Sequence, residues 1–269
     1  MSRCALGRRR HANKSCFNLE ELQCMVHAWN ALHERHQILD TLQMDPDALW
    51  SSLIQKLQAR DERQWLQNNI FMSKDEVMCQ ELAKTIRYLA LRPFFEGKEA
   101  DLWLSQQDIN HCMLQLLHGF RDSLPNTLVY LGAQPVDHFT SLPQEVKVPY
   151  TAKWGIILNT ATRQEGGEHW VAIYKDDEST TLEYFDSSGH PPTKRLVTVL
   201  ELMKRRNPFI KTIITSSKVH QEDEYNCGVY TILFLFLRFL SISFEKIEDE
   251  NLGFVHISHF RKLLFDEHA

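Results

Sequence analysis

The chain has 269 residues, 43% of them apolar and 24% charged, which is material for one sizeable core with or without an appended unit. A formal net charge of -5 excludes a general electrostatic case for nucleic-acid binding. The one basic cluster, Arg8-Arg9-Arg10 beside Arg3 and Lys14, reads as a solvated tail with a weak nucleic-acid or nuclear-import signal.

The first segment, "KSCFNLEELQCMVHAWNAL", predicts a helix capped by Asn18, with Glu21 returning the hydrogen bond and Leu19, Leu22, Met25, Val26 and Trp29 on one face. "DPDALWSSLIQKL" opens with an Asp-Pro start signal and predicts a second helix, and "SKDEVMCQELAKTIRYLAL" a third capped by Ser73. These helices define an all-α N-terminal unit, residues 1–95, with a second domain over 96–269. "WLSQQDINHCMLQLLHGF" then repeats the capping-box pattern at Ser105 and Asp108.

Beyond it the pattern changes. "VYLGAQPVDHF" is a short apolar run broken by Gly and Pro, and "KWGIILNT", "HWVAIYKDD" and "TLEYFDSSG" predict short strands between turns. "HPPTKRLVTVLELMKRRNP" predicts a helix, "FIKTIITSS" a strand, and "NCGVYTILFLFLRFL" a buried helix. Strands and helices mix without strict alternation, which predicts an α+β fold. The run from Val229 to Leu240 contains Arg238 and is too short to span a bilayer, so no membrane partner is expected. The basic start leads into no apolar stretch, so secretion is not expected either.

Six cysteines, Cys4, Cys16, Cys24, Cys79, Cys112 and Cys227, include no CxxC pair; free thiols in a reducing compartment are expected. Thirteen histidines show no HExxH or paired Cys/His spacing, so no metal and no other cofactor is expected.

Cys227 opens the most apolar helix, where partial positive charge from the amides stabilises a thiolate. A thiolate nucleophile needs a base, and the base needs an orienting group. His169 begins one strand and Asp186 ends the next; if the two pair through the "DDEST" turn, both residues reach the same end of the hairpin. Gln221, upstream of Cys227, offers a neutral amide for an oxyanion, with the Cys227 N–H as companion. Each residue alone has a plainer reading: a buried apolar thiol, a surface histidine, a turn-forming aspartate.

The order His169, Asp186, Gln221, Cys227, with "EHWVAIY", "LEYFDSS" and "QEDEYNCG", resembles the adenovirus proteinase and ubiquitin-like-protein protease superfamily, as does "WLSQQDI". "GIILNTATRQEGGEHWVAIY", "LEYFDSSGHPP" and "YLGAQPVDHF" most resemble the capsid-maturation cysteine proteases of large DNA viruses, African swine fever virus among them. The resemblance is specific over residues 103–240 and weaker over the N-terminal helices. It implies a papain-like-superfamily peptidase core, a mixed central sheet flanked by helices, carrying an all-α N-terminal arm that supports the core or captures substrate.

The resemblance also implies His169 as general base, Asp186 as its partner, Cys227 as nucleophile and Gln221 as oxyanion donor. The implied activity is endopeptidase cleavage of viral structural precursors at Gly-Gly-X or Gly-X-Gly sites, in the virion and at the assembly site in host cytoplasm. Trp170 is the expected wall of a narrow cleft, and Asn159 the expected contact to substrate or catalytic loop. Alternatives at this point are an isopeptidase acting on ubiquitin or a SUMO-type modifier, an effector acetyltransferase (these favour Glu where Asp186 stands), and a binding pseudo-protease.

Overall fold

The computed structural model describes residues 4, 15–32, 37–38, 45–57, 103–138, 152–250 and 253–265. The helix expected over 73–91, Cys79 and the arginine cluster at 8–10 lie outside these. The chain divides into two compact units: Met1–Phe95 with Leu114–Gly119 and Leu263–Ala269, and Glu96–Met113 with Phe120–Lys262.

In the first unit, α1 (Leu19–Leu32) and α2 (Pro46–Leu57) pair. Asn18 Oδ1 accepts the Glu21 N–H at 2.9 Å and Glu21 Oε2 accepts the Asn18 N–H at 2.9 Å, the reciprocal cap the sequence predicts. At α2, Asp45 Oδ1 accepts from Ala48 N at 2.8 Å. Phe17, Leu22, Met25, Trp29, Trp50 and Leu53 fill the space between the helices.

One expectation is overturned here. Cys4 and Cys16 form a disulfide rather than remaining thiols. A bridge requires only that folding bring two Cα atoms close, here to 5.3 Å across a separation of 12 residues. A search for CxxC spacing cannot see that. Cys24, Cys112 and Cys227 do remain thiols.

The helix α3 (Gln106–Gly119), in the second unit through Met113, is opened by Ser105 and Asp108: Asp108 Oδ2 accepts from Ser105 N at 2.8 Å and from Ser105 Oγ at 2.7 Å. A five-stranded sheet follows in the order β1 (Leu128–Pro135), β2 (Lys153–Asn159), β3 (Trp170–Lys175), β4 (Thr181–Phe185), β5 (Thr212–Thr215). The outer pairs β1–β2 and β4–β5 are parallel, while β2–β3 and β3–β4 are antiparallel. The mixed α+β architecture stands as the residue pattern predicts.

The run "VYLGAQP" becomes β1 because its glycine is absorbed by an irregularity between Tyr130 and Ala133, with Gly132 at φ 89. Asn110 of α3 takes the Ala133 N–H at 2.7 Å there.

Strand alternation places Trp154, Ile156, Leu158, Val171, Ile173, Leu182 and Tyr184 toward Leu196, Val199, Leu200 and Met203 of α4 (Lys194–Arg206). The opposite face of β2 and β3 packs on α5 (Cys227–Phe239). There Phe185 stacks on Phe234 at 4.4 Å, and Arg238 forms a two-pronged pair with Glu183 at 2.6 and 2.7 Å. This pairing accounts for an arginine inside an otherwise apolar run. Two short helices follow, α6 (Phe244–Asp249) and α7 (Phe254–Leu264), the latter in this unit through Lys262. Among the described residues no helix is long and apolar enough to cross a membrane.

Gly155 lets α5 approach the sheet: a Cβ built there would lie 2.8 Å from Leu235 Cδ2 and 3.0 Å from Phe239 Cζ. Gly155→Ala is therefore expected to destabilise the domain by about 1–3 kcal/mol through overpacking. A lowered urea midpoint with unchanged slope would register it.

Candidate active site

The β3–β4 register, Ala172↔Phe185 to Lys175↔Leu182, carries the residue before β3 and the residue after β4 to one end of the hairpin. There His169 Nε2 lies 2.7 Å from Asp186 Oδ1. The Cys227 thiol, at the first residue of α5, is near enough to the same imidazole to help raise its pKa. Three distant segments thus converge.

Asp186 is nearly inaccessible, at 3% exposure, and is fixed from several directions. Its Oδ1 also accepts the Ser188 N–H at 2.8 Å, and its own N–H donates to Ser216 Oγ at 2.8 Å. Tyr184 donates its hydroxyl toward Oδ2 at 3.5 Å; burial and the Asp186 charge hold that phenol well above its ordinary pKa, so it stays a donor. The turn after Asp186 passes close to another strand end. A Cβ on Gly189, which has φ 69, would meet the Lys218 carbonyl carbon at 3.0 Å.

His169 is held by its loop as well. Its carbonyl accepts the Thr160 N–H at 2.9 Å, and Asn159 Oδ1 accepts from Ala161 N at 2.9 Å and Glu168 N at 3.2 Å. Burial by itself pulls the imidazole pKa down. Hydrogen bonds and charge from Asp186 and Cys227 outweigh burial and raise it from 6.5 to about 10. The site therefore favours an imidazolium beside the sulfur.

Gln221, 7% exposed, is oriented at both ends of its amide: Oε1 accepts the Ser187 hydroxyl at 2.7 Å and Nε2 donates to the Asp223 carbonyl at 2.7 Å. Two clefts open around this centre. One, of ≈ 570 Å³, includes His169, Asp186, Ser188, His190 and Lys194. The other, of ≈ 700 Å³, is lined by Trp103, Asn159, Arg163, Gly167 and Trp170.

Residues 156–264 match the Ulp1 protease family, C-terminal catalytic domain. Over those residues the chain is similar to Ulp1-family catalytic domains. R355 of Acanthamoeba polyphaga mimivirus, provisionally named a thiol protease, is 24% identical over 98% of this chain and 93% of its own length. The cysteine protease S273R of African swine fever virus is 29% identical over 37% of this chain; in sequence the match spans 40% of that protein. The crystal structure of the African swine fever virus pS273R protease superposes with a TM-score of 0.61 at 16% identity, covering 99% of this chain and 96% of that one. The fold of the protease is shared along nearly the whole chain.

Within residues 156–264, His169 and Asp186 meet directly, Cys227 lies by the same ring, and Gln221 is tied to the strand end through Ser187. Trp170 is mostly buried, donates its indole N–H to the Leu104 carbonyl at 2.9 Å, and still walls the larger cleft. Asn159 lines that cleft while its side-chain oxygen holds the His169 loop. Sequence reasoning missed Trp103, 49% exposed across the same cleft, and the polar residues Ser187, Ser216 and Asp223. The tryptophan of "WLSQ" and the aspartate two residues after Gln221 were the available signals. Among the described residues no cluster of His, Cys, Asp or Glu could hold a metal ion.

Proposed function

We propose that this chain is a cysteine endopeptidase that cleaves viral structural precursors at glycine-containing sites of the Gly-Gly-X or Gly-X-Gly type. The observation that carries the reading is the His169–Asp186 contact of 2.7 Å, with the Cys227 thiol near enough to the same ring to help raise its pKa. In the reaction, the Cys227 thiolate attacks the scissile carbonyl and the C=O electron pair moves to oxygen. Gln221 and the first amides of α5 receive that charge. As the tetrahedral species collapses, the C–N bond breaks and the His169 imidazolium gives its proton to the departing amine. A water, deprotonated by His169, then attacks the thioester; the acid product leaves and the thiol is restored.

Glycine preference has a physical basis. Cys227 is 2% exposed, which favours an approaching chain with minimal side chains, and the larger cleft is walled by Trp103, Trp170 and Gly167. The proposed place of action is the virion and the viral assembly site. The N-terminal helices serve there as an arm for the core or for substrate capture.

Certain isolates' S273R carries the name SUMO-1 cysteine protease, which keeps a modifier isopeptidase as a second reading. A peptide-library digest, with a SUMO conjugate and Cys227→Ala as controls, decides between them. Cleavage after glycine in short peptides with the conjugate left intact is the expected result. Conjugate cleavage without peptide cleavage would favour the second reading, and no cleavage of either would remove both.

A further inference from the structure

The Asn226 side chain does not do what its position invites. It is the N-cap of α5, where an asparagine ordinarily accepts an N–H from the first helical turn, yet it makes no such bond. Its Nδ2 instead donates to Asp223 Oδ2 at 3.0 Å, and its Oδ1 accepts from Arg261 Nη1 at 2.9 Å. Asn226 is 1% exposed and Arg261 7%, so the Arg261 contact is made away from water, while Asp223 is half-buried. The consequence is that no asparagine oxygen competes for the first amides of the Cys227 helix, which have no intrahelical acceptor.

Asp223 is the hub of this arrangement. Its Oδ1 accepts from Tyr225 N at 2.9 Å and Asn226 N at 2.8 Å, closing the loop onto the start of α5. Its carbonyl accepts Gln221 Nε2 at 2.7 Å while Ser187 supplies a hydroxyl to Gln221 Oε1. Exchanging the oxygen and nitrogen of that amide would set two acceptors against each other at Asp223, so the orientation is determined. An amide nitrogen carries two hydrogens: the Asp223 carbonyl takes one at 2.7 Å, and Asp223 Oδ1 lies only at a marginal 3.5 Å, so the other can turn to a substrate oxygen.

We propose that Asp223, assisted by Ser187, is a positioning residue that assembles the oxyanion hole: its carbonyl fixes the Gln221 amide and its carboxylate holds Asn226 off the helix amides beside Cys227. This rests on the protease reading above. It adds that the acidic loop "QEDEYN" shapes the site for the tetrahedral species rather than for the nucleophile.

The test separates those two roles. Alkylation of Cys227 by iodoacetamide displaces iodide and develops no oxyanion. Hydrolysis of a Gly-Gly peptide, and capture of a Gly-Gly peptide aldehyde as a hemithioacetal, both place an oxygen in the hole. For Asp223→Ala, which keeps the backbone carbonyl but removes the carboxylate that closes the loop and holds Asn226 off the helix amides, kcat on the peptide is expected to fall roughly 30-fold or more, KM to change little, and aldehyde affinity to fall in step. The alkylation rate should stay within about threefold, because the Cys227–His169 pair is untouched. Should Asp223→Ala fail to fold, Ser187→Ala, which removes one buried hydroxyl, is expected to give the same split at about 10-fold.

Hydrolysis and alkylation falling together, or hydrolysis and aldehyde affinity unchanged in the variants, would overturn the proposal while leaving the protease reading intact. A wild-type chain that neither hydrolyses the peptide nor alkylates preferentially at Cys227 would overturn the protease reading itself, and this inference with it.

Discussion

Cys227→Ala is expected to lower kcat/KM on a glycine-containing peptide by about 10⁴-fold or more, the scale seen when the nucleophile of a cooperating triad is removed. The loss is chemical, because every later step passes through the thioester. Folding should survive: the thiol is a small buried group at a helix start, and alanine is accepted there at a cost of about 1 kcal/mol. The measurement pairs a peptide-cleavage assay with a denaturation curve on the same preparation. Labelling by iodoacetamide supplies an independent readout, since Cys227 should react ahead of Cys24 and Cys112 and the variant should lose that fast phase. Cys112 is a demanding comparison, because its burial and the nearby Asp108 push the thiol well above its ordinary pKa. Full peptide cleavage by the variant would end the assignment of Cys227 as nucleophile.

Why could a sequence alone place this cysteine beside one particular histidine? The central strands are buried on both faces, so they appear as short, nearly continuous apolar runs between turn residues. An antiparallel hairpin also has only one way to align its ends once its turn is fixed. His169 and Asp186 flank such a hairpin, and their meeting follows from local chemistry. The capping pairs Asn18–Glu21 and Ser105–Asp108 were legible for the same reason: both partners lie within one turn of chain.

What escaped the sequence depends on distance along the chain or on the backbone. The parallel pairing of β1 with β2 crosses a long connection, and β1 itself carries an irregularity at Gly132 that breaks its pattern. The Cys4–Cys16 bridge depends on folding alone. Asp223 and Ser187 act largely on a side-chain amide and on backbone groups, so their neighbours in sequence gave no hint of whom they serve. Trp103 looked like the first residue of a helical segment; only the structure sets it, half exposed, across a cleft from Trp170.

The second large effect concerns Asp186 and the alkaline limit of activity. With the His169 pKa raised from 6.5 to about 10, the imidazolium needed to protonate the leaving amine persists well above neutrality. The sign follows from the direction of the change. A histidine raised on folding contributes stability that is complete below its unfolded value of 6.5 and is lost as pH climbs through about 10. Both kcat/KM and native stability should accordingly decline on the alkaline side near pH 10. The limb belongs to the coupled Cys227–His169 pair rather than to the ring alone.

Asp186→Ala removes the charge and a hydrogen bond that hold the imidazolium, leaving burial to pull the other way, and the limb should move down by about 1–3 pH units. The same variant frees the ring to rotate, so a loss of about 10³-fold in kcat at neutral pH is expected. Asp186→Asn tests the two contributions apart. Its oxygen can still be held by the Ser188 N–H, which lies 2.8 Å from Oδ1 in the native protein, and so can still accept from His169 Nε2. Orientation would then be kept and charge lost, giving a limb displaced as in Asp186→Ala but a rate loss of only about 10-fold. A pH profile for Asp186→Ala that matches the wild type on its alkaline side would show that the carboxylate does not set the protonation of His169.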